Sequence, residues 1–333
     1  MVDKNKKLIC FRPGISETIG TGHFRRCLIL ANEMKEHEIL FFVEKSGVAE
    51  NILSNYGLRF HQLLNHKNDL AEIEEIKSFL KSGNLKPDLF LIDHYGINSE
   101  YEKLLAPLAS KIAVIDDLEK SHYCDIFINW NVYADKKSYA KLMLKPDTKM
   151  LVGKEYLVID ERYKKATESK NKKSQPKKIL IFFTGGNCYN MTMKTIRALE
   201  NLPVLLEVVI GNLNPSKNKI VEYCRNKNNI NLHIQTEEMP KIMADCDLAV
   251  GSFGQNSYER LYLGLYTIGV ILADNQLQIA GWMDKNGYAI NLGNYKNVTG
   301  EVIKNSVVKN LNNHIPSGVI DIATKKLVKE LLM

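Results

Sequence analysis

Residues 20–26 read GTGHFRR, a glycine pair around a threonine, then a histidine, then an arginine pair that opens an apolar-periodic stretch. Glycines let a backbone turn tightly and approach a ligand closely. The exposed N–H groups of a first helical turn favour anions and polar oxygens. They disfavour a cationic imidazole, so a histidine placed there is a candidate proton acceptor. His23 is thus a candidate general base, with a helix cap or a packing residue as the plainer alternatives. Arg26 suits a phosphate or carboxylate, or else lies on the surface of the first turn. Gly20 and Gly22 would leave room for a bound group.

Other polar clusters share this setting, each directly after a short apolar run. LFLIDHYGIN puts Asp93, His94 and Tyr95 at one strand end, as a cleft wall or with Asp93 capping a helix. Asp116, Asp117, Asn129 and Asn131 follow two further runs. They suit sugar hydroxyls and are also ordinary loop residues. Gly185 and Gly186 close FFTGG, where backbone amides can approach a diphosphate or merely turn. In VGSFGQNSYERLYLG, Gly254 precedes Ser257 and Glu259 at a helix start. Serine and first-turn amides bind phosphate there, and a glutamate one turn in can accept from both ribose hydroxyls. Glu259 as a capping carboxylate is the alternative. Asn275 and Gln276 follow another apolar run in LADNQLQ.

These residues must be carried by elements. Leu8–Phe11, Ile39–Val43, Leu89–Ile92, Ile112–Ile115 and Ile126–Ile128 are short apolar runs bounded by charge or turn residues, as buried parallel strands are. HFRRCLILANEMKEH, ENILSNYGL and Asp69–Ser82 have helical spacing between them. Strand alternating with helix predicts a doubly wound α/β domain. After residue 177 the alternation restarts, from KKILIFFTGG to LQIAGWMDKNG, and the tail VIDIATKKLVKELLM reads as an amphipathic helix. The expected division is 1–163, a lysine-rich linker 164–177, a second α/β domain 178–316, and a terminal helix 317–333. Such domains bind ligands at the carboxyl ends of their strands, so the cleft between them is the expected site.

Composition narrows the classes. The chain has 333 residues, 45% hydrophobic and 25% charged, which is ordinary for a globular protein. Residues 163–178 hold seven lysines and one glutamate, six of the seven net positive charges. A local run of this kind reads as a solvated linker, so no nucleic-acid partner is expected. Six scattered cysteines without a C-x-x-C spacing suggest neither zinc nor a disulfide framework, and fit a reducing cytoplasm. No apolar run reaches membrane-spanning length, so neither membrane insertion nor a signal peptide is expected. A monomer without metal or cofactor is expected.

Taken together, Arg12, IGTGHFRRCLILA, IDHYGI, IDD, CDIFIN with Asn131, LVGKEY, the Gly185–Gly186 turn, NSYERLYLG and DNQLQIA resemble a known family over residues 8 to 293. It is the UDP-2,4-diacetamido-2,4,6-trideoxy-β-L-altropyranose hydrolase family of pseudaminic acid biosynthesis, with the related spore-coat polysaccharide biosynthesis proteins. The resemblance implies a GT-B fold, two Rossmann-like doubly wound domains facing across a cleft. It implies His23 as catalytic base, Tyr95 in the sugar site, Ser257 and Glu259 in the nucleotide site, and Asn275 and Gln276 facing the sugar diphosphate. With Gly20, Gly22, Arg26, Asp93 and Asn131 on the sugar side, and Gly185, Gly186 and Gly254 on the nucleotide side, it implies C–O cleavage of a UDP-sugar with inversion. A GT-B glycosyltransferase is the alternative. Three positions depart from the family pattern, Gly14 and Cys188 where aspartates are common and Asp160 where an arginine is common.

Overall fold

A computed structural model describes residues 6–15, 22–45, 47–66, 68–168, 177–184, 188–212, 214–316 and 318–333. The chain divides into two units, Met1–Val158 with Ala323–Met333, and Ile159–Ile322.

In the first unit the strands are β1 (Leu8–Pro13), β2 (Glu38–Glu44), β3 (Arg59–Leu63), β4 (Leu89–Asp93), β5 (Ile112–Ile115), β6 (Ile126–Asn129) and β7 (Lys149–Val152). They form one parallel sheet in the order β3-β2-β1-β4-β5-β6-β7. Parallel neighbours require crossovers, and helices such as Gly22–Glu33 and Asp69–Ser82 supply them. Strand order reverses between β1 and β4, where Pro13 pairs with Asp93. On one face Phe42 stacks on Phe90 at 5.5 Å; on the other Phe11 stacks on Phe41 at 4.9 Å. Each such buried phenylalanine contributes roughly 1.5–3 kcal/mol.

The second unit holds β8 (Lys178–Phe182), β9 (Leu205–Ile210), β10 (Ile230–Ile234), β11 (Leu248–Ser252), β12 (Thr267–Ile271) and β13 (Ala289–Asn294). These strands are also parallel, ordered β10-β9-β8-β11-β12-β13, and the reversal falls between β8 and β11. Two doubly wound sheets are what the alternation predicted.

The differences from the sequence reading have physical causes. β3, β7 and β13 were not anticipated; all three are sheet edges, and β3 and β13 are mostly half-buried. An edge strand lacks the continuous apolar run that a central parallel strand needs. The lysine-rich stretch begins as a helix, Arg162–Glu168, because Tyr163 and Ala166 are buried on one side of it. The terminal helix, Thr324–Leu332, belongs to the first unit, where Glu330 pairs with Lys149 at 2.7 Å and Ala323 N donates to Leu157 O. Among the described residues no helix is long and apolar enough to cross a membrane.

One buried histidine ties three segments of the first sheet together. His122 lies between Glu102 Oε1 at 2.7 Å and Asp116 Oδ2 at 3.3 Å. Burial pulls its pKa down, but hydrogen bonds to Asp116 and Glu102 outweigh that and push it up to about 9. An unfolded histidine titrates near 6.5. The stabilisation is therefore complete below about pH 6.5 and lost as pH rises through about 9. Denaturant unfolding from pH 6 to 10 is expected to show wild type losing on the order of 3 kcal/mol over that window, whereas His122→Gln is weaker at pH 6 and loses much less. Parallel pH profiles for the two proteins would remove His122 as the source.

Candidate functional site

In the first unit the polar residues gather at the switch point. β1 ends at Pro13, and Gly14 N donates to Asp93 O at 2.8 Å, which locks the end of β1 to the end of β4. The helix Gly22–Glu33 then starts, with His23 and Arg26 three residues apart and so on one face. Both reach Asp93, whose side chain is fully buried. His23 Nδ1 lies 2.6 Å from Asp93 Oδ1, and the Arg26 guanidinium donates to both carboxylate oxygens through Nε and Nη2. Cys27 Sγ also approaches Oδ2, at 3.7 Å. Burial pushes the Asp93 pKa up, but Arg26 and His23 outweigh it and hold it down at about 2.

An ionised Asp93 settles the tautomer. It can only accept, so His23 Nδ1 carries the hydrogen and donates. Arg26 Nη2, 2.9 Å from the same nitrogen, is also a donor only, and its bond therefore goes to Asp93. The lone pair of the imidazole is left on Nε2. A carboxylate holding one ring nitrogen so that the other can take a proton is the orienting arrangement of hydrolytic triads. The Tyr95 ring meets the His23 ring edge-on at 4.3 Å, and its hydroxyl donates to Asp117 Oδ1 at 2.7 Å. The Arg26 guanidinium lies over Trp130 at 5.2 Å.

This geometry gives two of the expected site residues partners inside the protein. Asp93 is fully buried, and Arg26 donates to Asp93 and lies over Trp130. Both side chains lie within hydrogen-bond distance of His23 Nδ1. Gly22 has no atom of the described residues within 4 Å of where a Cβ would stand, so none of them demands glycine there. Asn131 is buried beyond β6, its N–H donating to Asn129 Oδ1. Asp116 is spent on His122.

Behind the switch point lies a second ionic layer. Arg12 donates to Glu72 at 2.8 Å and to Glu44 at 3.2 Å, and Tyr101 donates to Glu72 at 2.5 Å. Glu44 also meets His94 Nε2 at 3.1 Å. The His94 ring explains Gly14: a Cβ at Gly14 would stand 3.0 Å from His94 Cδ2, and one at Gly96 2.8 Å from Cε1. Two glycines clamp this ring.

In the second unit the corresponding turn joins β11 to the helix Gln255–Tyr262. Gly251 must be glycine, because a Cβ would lie 2.2 Å from Phe182 O and 2.6 Å from Arg260 Nη1. Gly254 is extended, with no atom of the described residues within 4 Å of a Cβ position. Ser257 is fully buried, and its Oγ accepts from Gly254 N and from Arg260 Nη2, both at 3.1 Å. Its oxygen is thus committed to the turn, and only its hydroxyl hydrogen remains to donate. Glu259 is half-buried and its Oε2 accepts from the Tyr163 hydroxyl at 2.8 Å. Ser252 Oγ and Asn256 tie the turn to Thr184 beyond β8.

Beyond β12, Asn275 is exposed, whereas Gln276 is buried with its Oε1 accepting from Leu272 N at 2.9 Å. Gln276 therefore holds its own loop. Gly20, Gly185, Gly186 and the residues at 16–21 lie outside the described residues. Among the described residues no three His, Cys, Asp or Glu side chains are grouped to hold a metal ion. Sequence reasoning missed Arg260 and Tyr163. Arg260 stands three residues after Ser257, a spacing that could have flagged it; Tyr163 lies 96 residues from Glu259, with no local signal.

No family model matches the chain. It is 28% identical over 286 residues to the UDP-2,4-diacetamido-2,4,6-trideoxy-β-L-altropyranose hydrolase of Campylobacter jejuni, covering 85% of this chain and 98% of that protein. It is 24% identical over 281 residues to a spore coat polysaccharide biosynthesis protein of Bacillus subtilis, covering 82% and 80%. It is 27% identical over 276 residues to an uncharacterized protein of Methanocaldococcus jannaschii, covering 79% of this chain but spanning only 55% of that relative. Solved structures of similar fold include MurG of Acinetobacter baumannii, with TM-score 0.59, 14% identity and coverage of 98% and 93%. Spinosyn rhamnosyltransferase SpnG gives TM-score 0.61, 11% identity and coverage of 97% and 95%. The chain is thus a relative, over about four fifths of its length, of this UDP-sugar hydrolase and this spore coat protein, and its fold is the GT-B fold of these glycosyltransferases.

Proposed function

We propose that the chain hydrolyses a UDP-linked diacetamido-trideoxyhexose, releasing UDP and the free sugar, in the biosynthesis of a pseudaminic-type acid. The observation that carries this reading is the buried His23–Asp93 pair at 2.6 Å, which leaves Nε2 as the proton acceptor. Water attacks the anomeric carbon from the face opposite the diphosphate and gives its proton to Nε2. The bond from carbon to the diphosphate oxygen breaks, its electron pair leaves with UDP, and the anomeric centre inverts. Asp93 stabilises the imidazolium as it forms.

The second unit takes the nucleotide in this reading. The diphosphate sits at the start of Gln255–Tyr262, near the open side of Gly254. Glu259, oriented by Tyr163, accepts from the ribose hydroxyls. The five cysteines whose side chains the structure describes are buried and free, which suits a reducing, cytoplasmic setting. Because the structural neighbours include a rhamnosyltransferase, transfer to an acceptor is the second reading.

Incubation with the UDP-sugar and no acceptor separates the two. Stoichiometric UDP release, with the inverted anomer seen first by NMR, is the hydrolase result; release only on adding an acceptor is the transferase result. His23→Asn, which can still donate to Asp93, is expected to fold and lose about 10²–10⁴ in kcat. Turnover near that of wild type would exclude His23 as the base. Gly254→Ala is expected to melt within about 2 °C of wild type yet bind UDP about tenfold more weakly, since its methyl meets no atom of the described residues. An unchanged Kd would remove this turn from the nucleotide site.

A further inference from the structure

Among the described residues three arginines are buried, and they are not treated alike. Arg12 has Glu72 and Glu44, and Arg26 has Asp93, each at hydrogen-bond distance. Arg260 is fully buried and has no carboxylate at such distance among the described residues. Only its Nη2 is bonded, to Ser252 O at 2.6 Å and Ser257 Oγ at 3.1 Å; Nε and Nη1 have no partner. Burial pulls its pKa down to about 10, offset only in part by Glu259 and Tyr163.

Such a group is costly to keep. A buried charge without a partner destabilises a fold, and replacing it by an apolar side chain of similar volume is often neutral or stabilising. What Arg260 touches suggests its use. Ser252 ends β11 and Ser257 lies in the first turn of the following helix, so Nη2 grips both sides of the β11 turn. With both acceptor positions of Ser257 Oγ filled, what its hydroxyl can still offer is its hydrogen, as a donor. First-turn amides add partial positive charge at the same place. Among the described residues no carboxylate is hydrogen-bonded to Arg260 or Ser257, and Glu259 acts on Arg260 only at longer range.

We propose that Arg260 is the counter-charge for a diphosphate held at the β11 turn, a positioning residue acting through Ser252 and Ser257 and through its field. The proposal rests on the nucleotide reading of this turn and assigns the diphosphate, in preference to the base or ribose, as the part of the ligand that the buried cation favours. In a water-poor setting a unit charge a few ångströms away retains an interaction that bulk water would screen.

The test is calorimetric binding of UDP, inorganic pyrophosphate and uridine to the full chain, as wild type, Arg260→Met and Arg260→Lys, with thermal melts of each. Wild type is expected to bind UDP and pyrophosphate. Arg260→Met is expected to fold and melt no more than about 2 °C below wild type, while losing at least about tenfold in affinity for both diphosphates and less than about twofold for uridine. Arg260→Lys, which keeps the charge, is expected to retain more pyrophosphate affinity than the methionine variant. An Arg260→Met protein that fails to fold or melts far lower would make Arg260 structural and overturn the proposal. Unchanged pyrophosphate affinity, or an equal loss for uridine, would overturn it too, as would a wild type that binds no diphosphate. Binding of pyrophosphate without UDP would overturn the uridine nucleotide reading and support this assignment of Arg260.

Discussion

The first unit depends on one desolvated carboxylate. Asp93 ends a central strand with none of its surface exposed, and a carboxylate at that depth needs donors on every side. His23, Arg26 and Cys27 supply them from one helix. That single demand fixes the helix against β4, fixes which nitrogen of His23 carries hydrogen, and seats the imidazole against the edge of Tyr95. Positioning a base is usually a matter of several weak contacts. Here it follows from neutralising a charge that the fold has already buried, so the stability of the unit and the orientation of His23 have the same source.

The two units solve the same topological problem with opposite charge balance. Each is a parallel sheet whose order reverses once, and the reversal opens a crevice at the strand ends. In the first unit the carboxylates beneath the reversal outnumber the arginines in contact with them: Asp93, Glu44 and Glu72 against Arg12 and Arg26. In the second a buried arginine has no carboxylate in contact among the described residues. Proton transfer is helped by a base with an anionic neighbour, whereas a diphosphate is favoured by unmatched positive charge. The roles proposed for the two units follow that difference in ion pairing.

Much of this was legible in the sequence where burial is complete. Central strands such as Leu89–Asp93 and Leu248–Ser252 are continuous apolar runs, and the polar residues that end them stand out. Edge strands such as Arg59–Leu63 did not, because half-burial leaves a mixed pattern that no period captures. Candidate residues were found by their place after strands, but their tasks were not. Asp93 and Arg26 looked like ligand-binding groups until the structure showed that they satisfy each other. Gln276 looked like a sugar contact and turns its oxygen inward to Leu272. A polar residue at a strand end either faces the ligand or repairs the turn, and only three-dimensional hydrogen bonding distinguishes the two.

The same distinction bears on Gly14, where the resemblance places an aspartate. A lost carboxylate could signal a lost activity. Here the position is filled by the chain itself: the His94 ring lies against Gly14 on one side and Gly96 on the other, and Glu44 binds its Nε2. Burial raises the Glu44 pKa, but His94 and Arg12 outweigh it and hold it down at about 2, so a carboxylate charge stands against this ring. Glycine at 14, glycine at 96 and histidine at 94 thus form one coordinated arrangement, since any side chain at either glycine would displace the ring. Apart from the backbone bond from Gly14 N to Asp93 O, this wall holds itself through Glu44 and its own ring contacts, while the His23–Asp93 side-chain bond is made on the other side of Asp93. Under the proposed hydrolase reading, a change at position 14 would therefore act on the wall first and reach His23 only through the end of β4.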